Sequence, residues 1–164
     1  MRKTNSNLLV GLIMVMACGL AGFGFSADAQ TRKVKANFAP DTAAQQPLFA
    51  EYRGIHLGMT ASETRAKLGA PMLKADDGDF YSFSETETLQ LVYDVDHKVS
   101  TISVDYMGGV GAPDYKAVVV GELEPTVNGG LYRMMRYESQ GFWVSYHRSA
   151  GPVLVVTITI QKMP

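Results

Sequence analysis

From residue 52 onward the apolar and polar positions fall into short runs of period two, separated by Gly, Asp and Asn. The pattern predicts strands over 80–84, 88–93 and 99–106, and again over 131–137, 141–147 and 153–161. In the third of these, Val99, Thr101, Ser103 and Asp105 alternate with Ser100, Ile102, Val104 and Tyr106, which puts Ile102, Val104 and Tyr106 on one buried face. The five residues 94–98 between the second and third runs suit a hairpin loop. One helix signature precedes the strands. Gly54-Ile55-His56-Leu57-Gly58-Met59-Thr60 is a short extended piece, with Gly58 permitting a tight turn into the helix. Thr60-Ala61-Ser62-Glu63 is a capping box, in which the Thr60 hydroxyl and the Glu63 carboxylate satisfy free backbone N–H groups. The helix should stop near Leu68, because Gly69 can take a left-handed cap and Pro71 cannot continue the ladder. Its apolar side holds only Ala61, Thr64 and Leu68, so packing against a sheet must stabilise it.

The second half follows the layout of the first. Ala112-Pro113-Asp114-Tyr115 sets a proline near a helix start, residues 116–120 make a short helical or irregular turn, and Gly121 stands where Gly69 stood. Setting Gly69 on Gly121, Tyr81 on Tyr132 and Tyr93 on Tyr146 gives offsets of 52, 51 and 53 residues. The near-constant offset fits a duplicated unit over 52–107 and 110–162, and equally a chance likeness of two amphipathic meanders. The expected fold class is α+β: an antiparallel sheet of about six strands with one or two short helices packed on one face, in a domain over 52–162. Residues 30–51 carry Val34, Phe38, Leu48 and Phe49 without a period and read as a flexible leader.

The first 29 residues read as a secretory signal peptide. Met1-Arg2-Lys3 supplies the positive start, Leu8 to Phe25 an apolar stretch, and Ala27-Asp28-Ala29 the small-x-small pattern at which cleavage is expected. Gly11, Gly19, Gly22 and Gly24, in a stretch at the lower length limit for crossing a bilayer, argue against a stable transmembrane span. Cys18, after Val15-Met16-Ala17, offers the alternative of a lipid anchor, although the apolar run continues past it. The expected location is therefore exported, periplasmic or extracellular, with a lipid-anchored form as the alternative.

Loss of residues 1–29 removes Arg2, Lys3 and Asp28, leaving 13 basic and 15 acidic residues. A net charge near minus two, without clustered Lys and Arg, lacks the footprint of a nucleic-acid binder, and none is expected as a partner. Cleavage also removes Cys18, the one cysteine, so burial alone must hold the exported fold.

Candidate chemistry is sparse. His56, His97 and His147 stand apart, without a second ligand at a metal-binding spacing. Asp76-Asp77-Gly78-Asp79 lacks the closing Glu of a calcium loop, for which Thr88 stands, and reads as a solvated turn. Asp94-Val95-Asp96 reads as a hairpin tip. No Ser lies in a G-x-S-x-G elbow, Ser145 and His147 lack a third orienting group, and Gly108-Gly109-Val110-Gly111 has no following Lys-Ser/Thr. No catalytic residue, cofactor or metal is assigned, and a non-enzymatic protein is expected. The remaining signal is aromatic. If Phe142, Val144 and Tyr146 fill the core, Trp143 and His147 face the other way, with Tyr132, Arg133, Arg136 and Tyr137 on a neighbouring strand expected to pair with theirs. Trp143 and His147, with Arg133 and Tyr137 as flankers, form a candidate docking surface for a protein partner. Two other readings stay open: Trp143 lying under the leader or a helix, and a small-ligand carrier or small enzyme with an apolar pocket between helix and sheet.

The run Gly54-Ile55-His56-Leu57-Gly58-Met59-Thr60, its spacing to Leu68-Gly69-Ala70-Pro71, and then Phe80-Tyr81-Ser82-Phe83 and Val99-Ser100-Thr101-Ile102 resemble the SmpA/OmlA (BamE-like) module. That module belongs to a group whose fold is similar to the β-lactamase inhibitory protein. The resemblance covers residues 54 to about 106, with Thr64 where the signature usually has Val, and extends to the second half in layout only. It implies a helix-plus-antiparallel-sheet unit of exported bacterial proteins, sometimes in tandem, and a place in the cell envelope. Gly58, Gly69 and Pro71 meet ordinary backbone needs and are assigned to structure, as are Thr60 and Glu63.

Overall fold

The structure, a computed structural model, describes residues 46–164. The expected signal peptide, Cys18 and residues 30–45 of the expected leader lie outside the described residues. In chain order the elements are β1 (Glu51–Tyr52), β2 (Ile55–His56), α1 (Ala61–Leu68), β3 (Leu73–Lys74), β4 (Gly78–Ser82), β5 (Glu87–Tyr93), β6 (Val99–Met107), β7 (Glu124–Pro125), β8 (Leu131–Tyr137), β9 (Phe142–Arg148) and β10 (Val155–Lys162). β1 and β2 form a small two-stranded sheet. The other eight strands form one antiparallel sheet in the order β3-β4-β5-β6-β10-β9-β8-β7, so that two four-stranded runs meet at the β6–β10 pair.

This architecture corrects the α+β expectation: the domain is mostly β, with eight strands in the main sheet rather than about six. α1 is the one α-helix among the described residues. The expected second helix is only a 3-10 turn over Tyr115–Ala117, capped by Asp114, whose carboxylate accepts the Lys116 N–H at 2.9 Å. The cover it would have supplied comes instead from the irregular chain around it, through Val118 and Val119, both buried. The extra strands β3 and β7 are two residues long, too short to show any alternation in sequence.

α1 begins and ends where its sequence signals stand. The Thr60 hydroxyl accepts the Glu63 N–H at 3.2 Å, and the Glu63 carboxylate accepts the Thr60 N–H at 2.8 Å. Thr64 is fully buried beneath the helix, and its hydroxyl donates back to the Thr60 carbonyl at 2.6 Å, so the buried oxygen is satisfied. Gly69 donates its N–H to the Arg65 carbonyl at φ 85°, ψ −162°. That conformation is an extended positive-φ one rather than the left-handed cap expected, and it is essentially restricted to glycine. Thr60→Ala should therefore destabilise the domain by about 0.5 to 2 kcal/mol, and Glu63→Ala by less, since Glu63 is exposed. Gly69→Val should exceed that, at about 1 to 3 kcal/mol. Urea melts of the three variants check the ranking, and a Gly69→Val protein as stable as the parent would contradict it.

The core forms on one side of the sheet. Leu89 and Leu91 of β5, Ile102 and Val104 of β6, Ile158 and Ile160 of β10, and Val144 of β9 are all fully buried there. Ile55, Met59, Val118 and Val119 pack on them from the β1–β2 hairpin, the turn before α1 and the segment after β6. A register shift at Val92/Tyr93 pairs Tyr93 with Val99 and skips Ser100. This irregularity turns Val99 inward beside Ile102, against strict alternation.

Candidate functional site

The two faces of the sheet have different chemistry. On the covered face, buried polar groups tie the covering elements down. Asp79 of β4, 3% exposed, receives Arg65 Nε at 2.8 Å and Nη2 at 2.9 Å from α1, and the Tyr93 hydroxyl at 2.7 Å. Burial alone would raise this carboxyl, but the Arg65 and Tyr93 hydrogen bonds outweigh it and hold Asp79 below the usual carboxylate range. The solvated turn expected for residues 76–79 is thus corrected at Asp79. Nearby, Tyr52 donates to Glu87, and Arg53 bonds Tyr52 at 2.9 Å and Glu87 at 3.1 and 3.2 Å while lying 4.2 Å over the Phe83 ring. These contacts fasten the β1–β2 hairpin to the start of β5.

Among the described residues the covering elements pack on that face, and the side chains of the other are mostly only partly exposed. Strand register fixes which residues share this open face. Trp143 of β9 lies between Arg136 of β8 and Gln161 of β10, and His147 lies between Tyr132 and Thr157. Ser145 sits between Met134 and Thr159, and is buried by them. Tyr132 and His147 form a tilted ring pair with centroids 6.4 Å apart. Arg136 donates to the Met163 sulfur at 3.3 Å and lies 3.5 Å from a Glu138 oxygen. Beyond Gln161 the face continues as a strip of hydroxyls and amides. Ser103 and Thr159 are 3.3 Å apart across the β6–β10 pair, and Thr157 donates to Asp105 at 2.6 Å.

Of the four candidate docking residues, Trp143 and His147 lie together on the open face, opposite Phe142, Val144 and Tyr146. Arg133 and Tyr137 do not join them. Register sets Arg133 against Tyr146 and Tyr137 against Phe142, which puts both on the covered face. Tyr137 is 1% exposed, with its ring centroid 5.2 Å from that of Phe142. Arg133 bonds Glu124 at 2.8 Å and the Val120 carbonyl at 3.2 Å, holding down the chain that precedes β7. Tyr132 and Arg136 take the flanking places. Counting outward from the Tyr137–Phe142 pair that closes the β8–β9 hairpin selects these two from the four residues named on the neighbouring strand, because each step away changes face. The residues assigned to structure stay with the helix: Gly58 donates to the Val99 carbonyl at 2.8 Å, and Pro71 follows the Gly69 cap.

The space between α1 and the sheet is filled by Thr64, Asp79 and Tyr93, all buried. A groove of about 490 Å³ opens elsewhere, at the strand ends, where Leu57, Phe142 and Met163 meet Lys98 and an Asp94–Lys162 pair 3.4 Å apart. Among the described residues no three His, Cys, Asp or Glu side chains gather as a metal site, and no helix is long and apolar enough to cross a membrane. In comparisons with known proteins, no family, curated protein or solved structure matches the chain.

Proposed function

We propose that the chain is an exported, non-enzymatic binding module of the cell envelope that holds its partner on the open face of the sheet around Trp143. One observation carries this reading: among the described residues the covering elements lie on one side, while the opposite side displays the only tryptophan of the chain, partly exposed between Arg136 and Gln161, with the Tyr132–His147 ring pair further along the same two strands. Trp, Tyr and Arg are the side chains that most often anchor a recognition surface, and a flat sheet presents them without the ordering that a loop would require. The signal-peptide pattern and the resemblance of residues 54–106 to the SmpA/OmlA module support export and an envelope setting.

A photo-cross-linking residue in place of Thr159, on the open face, tests the reading against one in place of Lys116, on the covered side. In intact cells the first should give specific adducts and the second should not. Adducts from position 116 alone, or from neither position, would overturn it.

A further inference from the structure

We propose that the occupant of the open face is a neutral, hydroxyl-rich glycan strand, seated with its sugar rings on Trp143 and Tyr132 and its hydroxyls on the strip beyond them. This deepens the binding-module reading and rests on it.

Charge is the first argument. Of the side chains that β5, β6, β10, β9 and β8 project to the open face, only Asp105 and Arg136 are charged. Asp105 already accepts the Thr157 hydroxyl, and Arg136 is engaged by Glu138 and Met163. A surface designed for solubility carries about 25–35% charged residues. Pressed on this face, such a surface would leave charges desolvated without partners. A neutral polyol has no charge to strand.

Hydrogen-bonding capacity is the second. Gln90, Thr101, Ser103, Thr159 and Gln161 lie on neighbouring strands and offer both donors and acceptors. Sugar hydroxyls likewise donate and accept, so they can match such a strip in several registers.

Ring chemistry and shape complete the argument. A pyranose ring has apolar C–H faces and a polar rim. The flat, amphipathic rings of Trp143 and Tyr132 match that division, apolar body to apolar face, with polar neighbours at the rim. From β8 to β5 is four strand steps, about 19 Å at the usual strand spacing. A face of that width, open along its length, suits consecutive units of a linear polymer rather than a single sugar in a closed pocket.

Because Trp143 is the only tryptophan, its fluorescence reports on this site alone. The exported protein should be titrated with chitohexaose and cellohexaose as neutral linear probes, with N-acetylglucosamine as the monomer and heparin as an anionic polymer. A saturable fluorescence change with at least one hexamer is expected, at least tenfold weaker for the monomer and absent with heparin at physiological salt. Gln161→Ala and Thr159→Ala, both surface changes, should each weaken the hexamer several-fold with urea midpoints little altered. No saturable change with either hexamer, an equal response to heparin, or full hexamer affinity in both variants would overturn the glycan assignment. If the hexamers fail while cross-links from position 159 capture a protein, the occupant is a protein and the binding-module reading stands. Failure of both experiments removes the reading as well.

Discussion

Replacing Arg65 by Ala should destabilise the domain by about 3 to 5 kcal/mol, more than replacing its partner Asp79. The asymmetry follows from exposure. The Asp79 side chain is fully buried and that of Arg65 is 26% exposed, so an Arg65 without Asp79 can turn its guanidinium toward water. An Asp79 without Arg65 keeps a carboxylate in the core with only the Tyr93 hydroxyl to support it. The pH dependence should separate the variants further. In the parent, Asp79 is held below its unfolded pKa. Its contribution is therefore present above the unfolded value near 4 and is lost as pH falls through the folded one. Asp79→Asn should lack that acid loss. In Arg65→Ala, desolvation dominates and raises the carboxyl, so acidification should stabilise this variant toward pH 4 where the parent is unchanged or weakened. Urea midpoints of the parent, Asp79→Asn and Arg65→Ala proteins between about pH 3 and 7 decide the matter, and equal losses for Arg65→Ala and Asp79→Asn would contradict the geometry.

The sequence made the local features legible and hid the long-range ones. The Thr60–Glu63 capping box places α1 because every partner in it lies within one turn. The central strands are readable because seven to nine residues display several alternations, as in β6. Asp79 was hidden by its neighbours. Asp76, Asp77 and Gly78 give it the look of a turn, whereas its burial depends on Arg65, fourteen positions earlier on a different element. The fold class went astray for a related reason: Pro113 and Asp114 signal a helix start, but only a 3-10 turn follows, and two-residue strands leave no pattern to read. The offset that sets Tyr81 on Tyr132 also fails to preserve side-chain direction. Tyr81 is buried on the covered face, and Tyr132 lies on the open one. At the candidate site, alternation along β9 was enough to separate Trp143 and His147 from Phe142, Val144 and Tyr146. The flankers on β8 required the hairpin register as well, and a shift of one residue exchanges Arg133 and Tyr137 for Tyr132 and Arg136.

That exchange yields a paired test in which two aromatic truncations, six residues apart, have opposite consequences. Tyr137→Ala removes a ring that is 1% exposed and packed on Phe142. By analogy with other buried aromatic truncations it should reduce stability by about 3 to 5 kcal/mol. Because its ring faces away from the open side, whatever folded protein remains should bind its partner with near-parent affinity. Trp143→Ala removes a partly exposed ring from the open face, where the facing strands contribute Arg136 and Gln161 rather than core side chains. Less burial is lost there and no enclosed cavity is left, so the change in stability should be clearly the smaller of the two. The affinity for the occupant of the face should instead fall by about 2 kcal/mol or more, roughly thirtyfold, as for a central anchor. Urea denaturation and binding measured on both variants test the two halves together. A Trp143→Ala protein as destabilised as Tyr137→Ala would make Trp143 a core residue, and one that binds with parent affinity would remove it from the docking surface.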